Sequence, residues 1–261
     1  MRPISFEEKQ KISLDILIDV ARFCDENGIT YFLSCGTLLG SIRHKGFIPW
    51  DDDADIMMPR PDYKKFLQIY NSNQYKLYGP DMGVLYYAKV YDPKTVKYEV
   101  GLDYKKYKAY GIDIDVFPLD GIVNDEKIIN RLYTKERILE KFLRLSTQPI
   151  FYRKNPLKAI NRIIARIFGS NFFIKLIEKN AQTYDYEKSD YVVRMRRSPN
   201  GFTGALPKSV YEKDYNEFEG HEFCVPRGYD AWLTKFYGNY MKLPPKEERI
   251  PSHEGDSYYV V

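Results

Sequence analysis

The chain is poor in the residues that build soft-metal or redox centres, with 3 cysteines and 3 histidines in 261 residues. Cys24, Cys35 and Cys224 are an odd number, form no C-x-x-C pair and have no zinc-site spacing. They are read as reduced thiols in a cytoplasmic protein. No run approaches the roughly 18 uninterrupted apolar residues of a membrane span, and Met1 to Glu8 lacks the apolar core of a secretory leader. Strong charge is absent too. A net charge of +4 and a pI of about 8.7 suit a polyanionic substrate or an anionic membrane surface and are too mild to argue for nucleic acid. There is no internal repeat or low-complexity tract. What is abundant is apolar and aromatic: 44% and 16% of the chain, with 24 tyrosines, a globular composition long enough for a sizeable core.

Hydrophobic spacing divides the chain. Ser5 and Glu8 form a capping-box pattern ahead of a helix with Ile12, Ile16, Val20 and Phe23 on one face, stopped near Asn27-Gly28. A short strand over Ile29–Leu33 and a helix from Leu38 to about Arg43 follow, then a strand over Ala54–Met58 and a helix over Asp62–Tyr70. Further strands are expected over 85–91, 96–100 and 112–117, with a turn at Asp92–Thr95. This is α/β character with a mixed sheet (α+β) and acids at strand ends. Beyond Pro118 the pattern turns helical, at 126–145 and again at 157–179, where Gly169-Ser170-Asn171 splits a basic and apolar stretch in two. The expected organisation is a catalytic core over 1–125, a helical insertion over 126–185 that is a candidate for membrane contact, and a loop-rich region over 186–261 that completes the substrate site. The basic and apolar stretch has two readings, a packed helical hairpin or a segment lying on anionic lipid.

The chemistry concentrates in Trp50-Asp51-Asp52-Asp53-Ala54-Asp55. Asp53 and Asp55 are two apart, so on a strand their carboxylates point the same way, about 7 Å apart. Such acids repel unless a cation compensates them, and Mg²⁺ (or Mn²⁺) takes oxygen ligands of this kind. A solvated acidic loop is the plain alternative, but these acids abut the apolar run Ile56-Met57-Met58. Upstream, Gly36-Thr37-Leu38-Leu39-Gly40-Ser41 puts small residues at a strand-to-helix junction, where backbone N–H groups and a hydroxyl can meet an anion. Arg43 adds positive charge beside it. Asp113 and Asp115 share one face of a later strand.

Taken together, Gly36 through Asp55 resembles the signature of the LicD family, which includes the fukutin-related proteins. The similarity extends to Lys89-Val90-Tyr91-Asp92 with Thr95, to Gly111 through Gly121, and to Phe218-Glu219-Gly220, Pro226, Tyr237-Gly238-Asn239-Tyr240, Leu243-Pro244-Pro245 and His253. The resemblance implies a nucleotidyltransferase-like core. It implies a metal pair at Asp53 and Asp55, an additional acid at Asp51, and a third carboxylate at Asp115. Asp113 departs from the family, where an apolar residue is common, and is the less certain ligand. Asn239 stands where aspartate is common. Gly36, Thr37, Ser41, Arg43, Lys89 and His253 are the candidates for holding substrate.

The activity implied is metal-dependent transfer of a phospho-alcohol to a sugar hydroxyl of teichoic acid, lipooligosaccharide or a similar surface glycan, with release of CMP. The donor expected is CDP-choline or a related CDP-alcohol; the acceptor is expected to be lipid-linked. The protein is expected in the cytoplasm, with peripheral contact at the inner face of the membrane. Two rival readings are a nucleotidyltransferase acting on a small molecule, which would release pyrophosphate, and a non-catalytic glycan- or nucleotide-binding module. Choline would call for aromatic faces, for which Trp50, Tyr86, Tyr87, Tyr91, Trp232 and Tyr237 are available.

Overall fold

A computed structural model describes residues 1–152, 156–195, 204–250 and 257–260. In chain order the elements are β1 (Arg2–Pro3), α1 (Phe6–Glu26), β2 (Phe32–Leu33), α2 (Cys35–His44), β3 (Ala54–Pro59), α3 (Arg60–Ile69), β4 (Lys76–Tyr78), β5 (Ala88–Tyr91), β6 (Thr95–Lys97) and β7 (Asp113–Ile122). They continue with α4 (Glu126–Thr147), α5 (Pro156–Phe168), α6 (Ser170–Ala181), β8 (Tyr191–Val193), β9 (Leu206–Pro207), β10 (Lys213–Phe218), β11 (His221–Pro226), α7 (Tyr229–Tyr237) and β12 (Ser257–Tyr259). The class is mixed α/β, as the sequence pattern implies.

The main sheet runs β2-β3-β7-β5-β4, with β8 joined to β7 and β9 to β8. β3 and β7 are parallel, and β5 lies antiparallel on the other side of β7. The sequence pattern ends β7 near Phe117, whereas the strand continues to Ile122 through Pro118. Only β3 pairs with β7 at Pro118, since β5 stops at Val116 and β8 begins at Asp120, so one edge of the strand is open where the proline lacks a donor. α1 starts as read: the Ser5 hydroxyl accepts from the Glu8 N–H at 3.2 Å, and Glu8 accepts from the Ser5 N–H at 2.9 Å.

One apolar core spans the sheet and its covering elements, from Ile16, Leu17 and Val20 of α1 through Ile56 and Val116 to Ile177 of α6 and Trp232 of α7. A smaller cluster under β8 gathers Ile122, Ile129, Leu132, Tyr133 and Val193. Arg60 ties the layers together. Its guanidinium donates to both oxygens of Asp120 on β7, at 2.6 and 2.7 Å, and to Glu178 of α6 at 2.8 Å. Cys24 and Cys224 are buried, and none of the three cysteines is in a disulfide. No described helix is long and apolar enough to cross a membrane.

Candidate active site

The sheet register builds the site. Asp55 on β3 stands opposite Asp115 on β7, and Lys89 on β5 stands opposite Asp115 from the other side. Two carboxylates distant in sequence thus become neighbours at one end of the sheet, with Asp53 just ahead of β3. Burial, then the charges of Asp53 and Asp115, push the Asp55 carboxyl up to about 8.

The acidic loop is pinned from behind. Lys9 of α1 donates to Asp52 at 3.2 Å, and Gln10 donates to the Asp51 carbonyl at 2.8 Å. Asp52 is therefore turned toward α1. The Asp51 carboxylate lies against Gly36 so closely that a Cβ there would collide with it. Glycine at the start of α2 makes room for this acid. Thr37, almost fully buried, accepts the Asp55 N–H on its hydroxyl at 2.8 Å and couples α2 to the head of β3. Thr37→Val should cost about 1–2 kcal/mol in urea unfolding and lower turnover, because the Asp55 N–H loses its acceptor. Unchanged values for both would remove Thr37 from this role.

The Ser41 hydroxyl is committed elsewhere. It donates to the Glu217 carbonyl at 2.8 Å and accepts from the Asn216 amide at 2.9 Å, joining α2 to β10. Arg43 donates to the Tyr240 carbonyl at 2.6 Å. Burial, and after it the repulsion of Arg249, lower its guanidinium, although Tyr237 opposes this. The Arg249 guanidinium lies over the Trp50 ring at 5.5 Å. Arg43 and Arg249 thus sit as like charges near each other beside the acidic loop, a disposition that suits an anion. Glu219, at the β10–β11 turn, accepts the Phe47 N–H at 2.9 Å and clasps the loop after α2. His253 falls outside the described residues.

On the other flank, the Lys89 ammonium donates to both Asp113 and Asp115. Burial opposes its charge, but Asp113 and then Asp115 outweigh it and hold the lysine protonated well above its ordinary range. Lys97 donates to the other Asp113 oxygen at 3.0 Å. Burial works against ionised Asp113, yet Lys89 and Lys97 keep it below the usual carboxylate range. Asp113 is thus occupied by two lysines.

No group of three His, Cys, Asp or Glu side chains among the described residues is already gathered around one point. Asp115 is drawn onto Lys89. By donor chemistry, the mutually repelling Asp53 and Asp55 form the pair that fits a hard divalent cation.

A cleft of about 850 Å³ opens beside these acids. It is lined by Asp53, Asp113, Asp115, Lys89 and Lys97, by Tyr86, Tyr87, Tyr110 and Glu99, and by Arg137, Glu140, Lys141 and Arg144 of α4. Tyr86 donates to Glu140, and Tyr110 to Glu99 at 2.9 Å. Of the aromatics available for a cationic head group, Trp232 is in the core, stacked on Phe236 at 4.1 Å, whereas Tyr86 and Tyr87 face the cleft. Sequence reasoning missed Tyr110, the carboxylates beside the tyrosines, and the α4 cations, whose spacing at 137, 141 and 144 places them on one helix face. It also missed Arg194, a buried cation whose charge reaches Asp55 and Cys35.

The family described as LicD/FKTN/FKRP, nucleotidyltransferase domain, matches residues 28–153, the segment that carries the acids and β7. The lipopolysaccharide cholinephosphotransferase LicD of Haemophilus influenzae is 32% identical over 270 residues, covering 99% of this chain and 99% of its own. The chain belongs to the LicD family. Shorter similarity links it to uncharacterized proteins of two rickettsiae. That of Rickettsia typhi is 43% identical over 63 residues, 24% of this chain and 20% of its own. That of Rickettsia prowazekii is 40% identical over 62 residues, 23% of each chain. This LicD-family chain is a transferase.

Proposed function

We propose that this protein transfers phosphorylcholine, or a closely related phospho-alcohol, from a CDP donor to a sugar hydroxyl of a cell-surface glycan such as lipopolysaccharide or teichoic acid. The observation that carries the proposal is the pairing of buried Asp55 with Asp115 across β3 and β7, where Asp115 and Asp53 line a cleft that tyrosines and carboxylates share. The full-length similarity to a cholinephosphotransferase supports the same reading.

In this reading the donor diphosphate lies over the acids. A divalent cation such as Mg²⁺ or Mn²⁺, held by Asp53 and Asp55, would supply neutralisation of its charge. Arg43 and Arg249 face the phosphates from the flank of α2. Lys89 fixes the orientation of Asp115, which takes the proton of the sugar hydroxyl as its oxygen bonds to the phosphorus bearing choline. The bond from that phosphorus to CMP breaks in line, and CMP leaves as a phosphate anion that needs no protein acid. Tyr86 offers a ring face to the quaternary ammonium, with Glu140 and Glu99 adding negative charge, whereas the rings of Tyr87 and Tyr110 already have the Lys89 ammonium over them at 5.9 and 5.6 Å. The reaction belongs in the cytoplasm, at a membrane that carries a lipid-linked acceptor.

The test is a panel of CDP-alcohols with Mg²⁺, followed by CMP release. CDP-choline should be the best donor. Pyrophosphate release from a nucleoside triphosphate would indicate nucleotidyl transfer instead, and no turnover with any donor would sink the proposal. Glu140→Gln should raise KM for CDP-choline about tenfold, roughly 1.4 kcal/mol of binding, with little change in melting temperature. An unaltered KM would remove Glu140 from the head-group site.

A further inference from the structure

Helix α5 is built inside out. Ile160, Ile163, Ile164 and Ile167, at i, i+3, i+4 and i+7, are 58%, 46%, 45% and 76% exposed. Phe168 and, on α6, Phe172 extend the same apolar surface at 57% and 44%. The face turned to the protein carries arginines between the buried Ala159 and Ala165 and none of the isoleucines. Arg162, almost fully buried, donates to the Gln148 side chain at 3.2 Å and to the Ile150 carbonyl at 3.1 Å. Arg166 donates to Asp103 and to the Gln148 carbonyl. A helix packed on a core in water places these faces the other way round. Polar bonds anchor α5, so its isoleucines are left for something outside the molecule.

Charge indicates what that something is. The only acid in the sequence of α5 and α6 is Glu178, and it is turned onto Arg60. Lys175 and Lys179 of α6 are exposed without an ion pair among the described residues, and the Arg162 guanidinium beneath the apolar face donates to two neutral oxygens. Two copies meeting through this face would bring positive charge against positive charge. An anionic surface meets it with attraction.

We propose that the outer face of α5, with Phe168 and Phe172 at its end, docks in the interface of an anionic bilayer. α5 holds Asp103 and Gln148 directly, and Leu102, Thr147 and Gln148 line the rim of the cleft. Docking therefore sets the cleft beside the lipid surface. This consequence rests on the acceptor being lipid-linked, whereas the docking itself does not.

The test uses the full chain without donor or acceptor, in co-sedimentation with vesicles of phosphatidylcholine alone or mixed with phosphatidylglycerol. Binding should rise about tenfold with the anionic lipid and weaken with salt. The double variant Ile163→Asp/Ile167→Asp should lose that binding by about tenfold or more while keeping its thermal melt and its CMP release with a soluble acceptor. Ile163→Ser/Ile167→Ser serves as the milder form if the acidic pair disturbs folding. Wild-type protein that ignores anionic vesicles, or a folded double variant that binds like wild type, overturns the proposal. So does a wild-type dimer in light scattering that the double variant dissolves. Vesicle binding with no CMP release from any donor would leave the docking standing and refute the proposed chemistry.

Discussion

Asp55→Asn should abolish turnover and, in cation-free buffer near pH 8, make the protein more stable. The carboxyl at 55 is raised from 3.8 to about 8. Below the lower value, folded and unfolded chains are both protonated there, and nothing is lost. Between the two, the unfolded chain releases a proton that the folded chain retains, so stability falls as pH rises, and the loss is complete once the folded carboxyl ionises. At 1.36 kcal/mol per unit the ceiling is several kcal/mol. Relaxation of the neighbouring charges brings the expectation to about 2–4 kcal/mol, or roughly 5–10 °C in melting temperature for a chain of this size. Asparagine cannot ionise, so thermal melts from about pH 5 to about pH 9 should lose most of the wild-type slope. CMP release should drop by about 10³-fold or more, because in the proposed reaction Asp55 would help hold the cation. Parallel pH slopes in the two proteins would refute the account of Asp55 as a repelled, buried acid. Surviving turnover would refute its place in the reaction.

The second large effect lies away from the chemistry. Arg60 and Asp120 are nearly devoid of solvent contact, and both Asp120 oxygens accept from Arg60, which also donates to Glu178. Arg60→Met leaves an ionised Asp120 in the interior and should cost about 3–5 kcal/mol in urea unfolding. Replacing both, as Arg60→Met/Asp120→Leu, should recover more than half of that loss, since the one charge then left without Arg60 is that of Glu178, whose side chain reaches solvent. A double variant as unstable as the single one would mean that the pair contributes through shape and not through charge. Asp120 lies in the same resemblance-bearing stretch as Asp115, five residues along one strand. One acid lies at the candidate site, while the other holds Arg60 of α3, which in turn reaches Glu178 of α6.

Local pattern and distant pairing account for what the sequence disclosed. Asp53 and Asp55 were readable as a pair because a strand alternates its faces, and the capping box of α1 was readable because it is contained in four residues. The junction of Asp55 with Asp115 depends on β3 lying parallel to β7, a pairing across some sixty residues that periodicity does not encode. Lys97 and Arg194 went unnoticed for a related reason. Each sits on or just beyond a three-residue strand, too short to show a period, and reaches the site only through tertiary placement. β7 outran its expected end because Pro118 punctuates a sequence without breaking a strand that is paired on one edge alone at that point, with β3. For α5 the spacing showed that two faces differ. It could not say which one meets solvent, since periodicity has no sign.

The in-register pairing of β3 with β7 also governs where this chain can change length. Deleting or inserting one residue inside Ala54–Pro59 or Asp113–Ile122 would turn every side chain beyond it to the opposite face of the sheet, so that the acids on one side of the change and the core residues on the other could no longer both be matched. Insertions and deletions are therefore tolerable only in the connections. Within the two strands, drift is confined to substitution.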